Sequence, residues 1–157
     1  MRLFNEGYDK HATFFEKGRG SIVISKGKSF IDLSCGAGTL LLGHNSEIQK
    51  KSLKKYLQTG LSNFAHPNVA ALDLSKSLKK IFPQFSKFVL CNTGAEANIK
   101  ALRIARAATN KNIIINVSGS WHGSVDQLLY TTIKNNQKKK LSDGLDDSLK
   151  QNLKHIP

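Results

Sequence analysis

The sequence predicts an α/β fold built around a βαβ unit, and three observations carry that expectation. Two apolar runs, Phe88-Val89-Leu90-Cys91 and Ile113-Ile114-Ile115-Asn116-Val117, have the length and composition of buried strands. Between them Ala97, Ala101, Ala105 and Ala108 recur at helical spacing and offer a flat, small face on which a helix can lie close to a sheet. The turn Asn92-Thr93-Gly94-Ala95-Glu96 joins the first run to that helix, with Thr93 and Glu96 at capping-box spacing. The two runs are expected to be adjacent parallel strands with a right-handed crossover.

The remaining elements follow in chain order. Ser21-Ile22-Val23-Ile24-Ser25 and Phe30-Ile31-Asp32-Leu33, joined through Lys26-Gly27-Lys28-Ser29, predict a hairpin. Ser34-Cys35-Gly36-Ala37-Gly38-Thr39 is a small-residue loop that lets backbone approach closely. Ser46 caps a helix through Ile48, Leu53, Tyr56 and Leu57, and Gly60 stands at its left-handed end. Pro67 and Asn68 open a second helix with Ala71, Leu74, Leu78 and Ile81 on one face, ended by Pro83. Beyond Tyr130 the polar residues 135–140 and Ser142-Asp143-Gly144 predict an exposed loop, and 145–153 a last short helix. Nothing after it resembles a closing element.

The 157 residues are 39% hydrophobic, contain no run long enough to span a bilayer and begin without a secretory or transit pattern, so a cytoplasmic protein with no membrane partner is expected. The formal charge is +13, and lysine outnumbers arginine 20 to 4. Those lysines are spread along helical faces such as Lys50, Lys51, Lys54 and Lys55, without zinc-finger spacing, an aromatic RNA-binding motif or an arginine-rich arm. The basicity therefore argues for solvated faces, with nucleic acid not expected. Cys35 and Cys91 lack the spacing of a disulfide framework or a metal site and read as reduced, buried thiols, so no metal is expected.

A turn between a strand and a helix in a βαβ unit lies at the sheet edge where ligands bind, and the helix start offers free N–H groups to an anion. Gly94 admits close backbone approach and a positive φ, the Thr93 hydroxyl donates or caps, and the amides of Gly94 and Ala95 face outward. The same residues serve equally as an ordinary helix cap. Neither GxGxxG nor GxxxxGK[ST] is present. Ser118-Gly119-Ser120-Trp121-His122-Gly123 follows the second run and should reach the same edge, where Trp121 could stack on a planar ring and His122 hydrogen-bond near it. Alone, Trp121 would be core and His122 structural; beside the anion turn they read as a cofactor site.

Thr93-Gly94-Ala95-Glu96-Ala97-Asn98, Ala101-Leu102-Arg103-Ile104-Ala105-Arg106 and Trp121-His122-Gly123 resemble, at matching spacing, the Ser-Gly-Thr-Glu-Ala, Ala-Leu-Arg-Leu-Ala-Arg and Tyr-His-Gly segments of class III aminotransferases. Residues 20–33 are similar to that family's N-terminal hairpin, and Leu42-Gly43-His44 to its Leu-Gly-His. The resemblance covers 18–130, and within the class it is strongest to glutamate-1-semialdehyde 2,1-aminomutases. It implies a fold-type I transferase dependent on pyridoxal 5'-phosphate, of which this chain is a fragment. Residues 1–60 would form the N-terminal arm, hairpin and first helix, and 61–157 the incomplete beginning of the large, cofactor-binding domain.

The resemblance implies cofactor-binding roles for Thr93, Gly94, Ala95, Trp121 and His122. Thr93, Gly94 and Ala95 would hold the phosphate, Trp121 would replace the usual Tyr or Phe over the ring, and His122 would support it. Residues 34–39 would line the substrate side, while Asp32 and Asn92 are expected to satisfy local backbone groups. It further implies amino-group transfer between a small-molecule amino donor and a carbonyl substrate, in a homodimer. No stretch matches the family's Schiff-base lysine or the aspartate at the ring nitrogen, so no catalytic residue is assigned here. The aminomutases' Ser-Pro-Val-Arg segment is replaced by His11-Ala12-Thr13-Phe14-Phe15. Two other readings are carried: a class III aminotransferase for an ω-amine or amino sugar, and a non-catalytic basic protein binding anions or nucleic acid.

Overall fold

A computed structural model describes residues 13–61, 66–133 and 137–156. The readings made at Met1 to Gly7, at His11 and Ala12, and at Asn135 and Asn136 lie outside the described residues. The chain divides into two compact units between His66 and Pro67.

In the first unit the expected hairpin is formed by β2 (Ile22–Ser25) and β3 (Lys28–Ile31), and β1 (Lys17–Arg19) adds a third antiparallel strand. Lys26 and Gly27 at the tip both have positive φ, the twist that a two-residue hairpin turn requires. Residues 42–44 return to the end of β1, where Gly20 and His44 exchange N–H···O bonds of 2.9 and 2.8 Å. Gly43, at φ 71°, permits this approach, since a Cβ there would stand 2.7 Å from the Gly20 oxygen. His44 Nε2 then donates to Asp32 Oδ2 at 2.9 Å, while Asp32 Oδ1 accepts from the amide and the hydroxyl of Ser34 at 2.8 and 2.6 Å. The Ser34 hydroxyl first, and the His44 imidazole next, hold the Asp32 carboxyl at about 2, below its ordinary 3.8. α1 (Cys35–Gly38) is one left-handed turn with Cys35, Gly36, Ala37 and Gly38 all at positive φ. Cys35 is exposed and Cys91 only half-buried, so the expectation of buried thiols fails for the first. Helix α2 (Glu47–Leu57) follows Ser46 in extended backbone, with Gly60 at φ 63° beyond its end.

In the second unit α3 (Val69–Ile81) starts at Asn68, whose side chain accepts from the Ala71 amide. Helix α4 (Gly94–Thr109) starts at Thr93 and ends on Asn110 in the left-handed conformation. Strand β4 (Ile114–Val117) pairs in parallel with β7 (Leu153–Ile156), and β5 (Tyr130–Thr132) pairs antiparallel with β6 (Lys138–Lys140). In this unit Val125, Leu128, Leu129, Tyr130, Leu145 and Leu153 are buried as one cluster, with Ala95 and Leu102 of α4 and Ile114 of β4 packed on them. Tyr130 also donates from its hydroxyl to the Asp146 carbonyl at 2.6 Å. Among the described residues no helix is long and apolar enough to cross a membrane.

Four expectations are corrected. Residues 88–91 form no strand, and β4 takes β7 as its neighbour; with no strand beside it among the described residues the 88–91 run has no ladder, and Val89 is exposed. The loop expected at 135–144 contains β6, two of whose lysines donate from their side chains to backbone carbonyls: Lys138 Nζ to Lys150 at 2.6 Å and Lys140 Nζ to Leu145 at 2.7 Å. The short helix is a 3-10 helix over Asp147–Asn152, and Leu153 opens a strand, β7, that was not expected. On α4 the alanines Ala97, Ala101, Ala105 and Ala108 are exposed; Ala95, Asn98, Leu102 and Arg106, at three- and four-residue spacing, face the interior.

Candidate cofactor site

The start of α4 is built as its sequence requires. Thr93 is in extended backbone and its Oγ1 accepts from the Glu96 amide at 3.1 Å, while the Glu96 carboxylate reaches back to the Asn92 amide at 2.8 Å. The Ala97 amide bonds the Thr93 carbonyl. This leaves the amides of Gly94 and Ala95 as first-turn donors with no partner among the described residues, at the positive end of a 16-residue helix. Gly94 is not at positive φ, contrary to expectation. A Cβ built there meets nothing within 4 Å, so the space beside Gly94 is open.

The loop after β4 comes to the same place. Ser118 continues the parallel ladder by donating to the Ile156 carbonyl at 2.8 Å, and Gly119 turns the chain at φ 78°. Gly123 lies against the first turn of α4 so tightly that a Cβ on it would stand 2.9 Å from the Ala95 Cβ. Asn98 Nδ2 donates to the His122 carbonyl at 2.9 Å. Trp121 is 70% exposed, so its indole face is free for a planar ligand. Beside it Asn116, Tyr130 and Leu141 border a cleft of about 140 Å³. The His122 ring is half-buried, and its Nε2 is enclosed without a hydrogen-bond partner among the described residues. An enclosed ring nitrogen without a partner is costly, and the Asn116 Oδ1 in the same unit is in the same state.

All five residues singled out in the sequence thus belong to one unit, and the contacts of Gly123 and Asn98 bring the 121–123 loop onto the turn 93–95. These residues fit a phosphorylated aromatic cofactor: two free amides before an open space, an exposed indole and an unpartnered imidazole nitrogen. Residues 34–39 belong to the first unit, where Cys35 borders a cleft of about 300 Å³ with Asp32 and His44. Sequence reasoning overlooked Asn98. Its signal was available, because asparagine in a helix interior is a poor helix former that calls for a partner.

The class-III aminotransferase family profile matches residues 3–155. The chain is 33% identical over 123 residues to the glutamate-1-semialdehyde 2,1-aminomutase of Archaeoglobus fulgidus, covering 78% of this chain and 29% of that protein. It is 37% identical over 117 residues to the enzyme of the same name from Thermodesulfovibrio yellowstonii, covering 74% and 27%. An omega-transaminase from Sphaerobacter thermophilus shares the fold with a TM-score of 0.82 at 21% identity, over 98% of this chain and 36% of that one. The chain therefore spans under a third of the curated relatives it matches, and with a profile match across nearly its whole length it belongs to the class-III aminotransferase family.

Proposed function

We propose that this chain carries the phosphate- and ring-holding part of a pyridoxal 5'-phosphate site in an enzyme that moves an amino group, of the glutamate-1-semialdehyde 2,1-aminomutase kind. The observation that carries the reading is the packing of Gly123 on Ala95, which seats the indole-bearing loop on the free helix start. The amides of Gly94 and Ala95, with the Thr93 hydroxyl, would hold the phosphate; Trp121 would cover one face of the ring and exclude water from it; His122 would support it. When bound, the cofactor supplies an electron sink for the carbon that bears the amino group, while the protein orients it and sets the surrounding charge. A small-molecule amino donor, a carbonyl substrate, residues 34–39 on the substrate side, a homodimeric assembly and a cytoplasmic location all belong to this proposal. The names of the curated relatives favour the aminomutase over an aminotransferase acting on an ω-amine.

No lysine of this chain is assigned the covalent role, so binding here should be reversible. The test is a titration of the chain with pyridoxal 5'-phosphate, read by quenching of Trp121. Saturable quenching is expected, and Gly94→Val should weaken it on the order of ten-fold or more, because the valine side chain fills the space before the two amides and costs the phosphate its hydrogen bonds. Unchanged affinity in that variant would reduce the turn to a helix cap. Borohydride reduction should spread label over several of the 20 lysines; one stoichiometrically labelled lysine would show a covalent site within this chain.

A further inference from the structure

Asn98 stands in the second turn of α4, half-buried, on the same face as Ala95 three residues before it. Its side-chain nitrogen is committed to the His122 carbonyl at 2.9 Å, and the next residue along the loop, Gly123, is the one pressed on Ala95. Trp121, immediately before these two contacts, makes no hydrogen bond among the described residues and is mostly in solvent. Nothing in its own side chain therefore fixes where the indole points. We propose that Asn98 is a positioning residue: its amide clamps the 121–123 loop onto α4 and so sets the separation between the anion-holding amides and the indole face. For its consequence this rests on the cofactor reading; for its geometry it does not.

The chain contains one tryptophan, so fluorescence reports this loop alone. Time-resolved anisotropy of Trp121 is measured without ligand in the full chain, in Asn98→Ala and in the near-isosteric Asn98→Asp. Circular dichroism should show α4 retained in Asn98→Ala, since alanine is the better helix former. The fast depolarising component is expected to grow in Asn98→Ala, and further in Asn98→Asp, where a carboxylate replaces the donor that faces the carbonyl. Binding is then followed by equilibrium dialysis with pyridoxal 5'-phosphate and with inorganic phosphate. In Asn98→Ala the Kd for pyridoxal 5'-phosphate should rise roughly five- to ten-fold, the scale of one lost hydrogen bond, with that for inorganic phosphate staying within about two-fold. The loss should vanish in a Trp121→Ala background, where no stacking remains to be positioned.

Unchanged anisotropy in both Asn98 variants would overturn the clamp, whatever the cofactor does. Equal weakening toward the two ligands, or a loss that persists in the Trp121→Ala background, would overturn the positioning role and leave Asn98 a general structural residue. Absence of saturable cofactor binding in the unmutated chain would sink the cofactor reading instead, and the ligand-free anisotropy would still decide the clamp.

Discussion

Asp32 shows how much one side chain settles when its carboxylate accepts three hydrogen bonds. It accepts from the Ser34 amide, the Ser34 hydroxyl and His44, and so joins β3, the left-handed turn and the 42–44 segment. Its carboxyl is held at about 2, below the ordinary 3.8. Because the folded value is the lower one, the stability it contributes is full above the ordinary value and is lost as pH falls through 3.8 toward 2. The protection factors of the Ser34 and His44 amides should therefore fall on acidification across that window, and Asp32→Asn should abolish the step and leave both amides poorly protected at neutral pH. A structural role for Asp32 was legible from its place at a strand end. The partner from 12 residues away was not, because local sequence carries no record of which segment returns.

At the level of elements, legibility followed periodicity and capping. Helix α3 was readable because a cap, a repeating apolar face and a stop signal agreed, α2 from its apolar spacing and Gly60, and α4 from the Thr93 cap, although the face it turns inward was misread. The hairpin of β2 and β3 was readable from its turn. Strands β6 and β7 were hidden: Lys138, Lys139 and Lys140 look like solvent, and only the structure shows two of them turned back onto carbonyl oxygens. That residues 93–95 and 121–123 come together was expected, but through a strand at 88–91 that does not form; Gly123 and Asn98 make the contact instead. Asn98 was not picked out, since an interior asparagine declares that it has a partner without saying which. Thr93→Ala tests the element directly. It removes the acceptor of the Glu96 amide and should cost about 1 kcal/mol in denaturant unfolding of the second unit. Thr93→Ser should restore most of it.

For the whole molecule the deciding contrast is between a small core and a wide apolar exterior. Leu33 and Leu41 in the first unit are 89% and 93% exposed, and Ile115 and Val89 in the second are 62% and 61% exposed. Scattered exposed leucines are ordinary, but a strand with its branched side chains in solvent belongs under another layer. The chain spans under a third of its curated relatives, and we infer that the remainder of such a protein covers these faces. The formal charge of +13 opposes clustering through repulsion until salt screens it. Isolated chains should therefore bind a hydrophobic dye strongly, and sedimentation should show self-association that rises with ionic strength. A monomer with weak dye binding at high salt would mean that these side chains find cover within the chain itself.

The parallel pairing of β4 with β7 also imposes an order of events. Helix α4 and its cap need only neighbours in sequence and can form within microseconds, whereas joining Ser118 to Ile156 must first close a loop of almost forty residues. During synthesis the turn at 93–95 would thus be available well before the residue that anchors the base of the tryptophan loop has left the ribosome. The pairing at the base of the 118–123 loop is thus a late contact, so a refolding experiment should see helix first and the final Trp121 signal last.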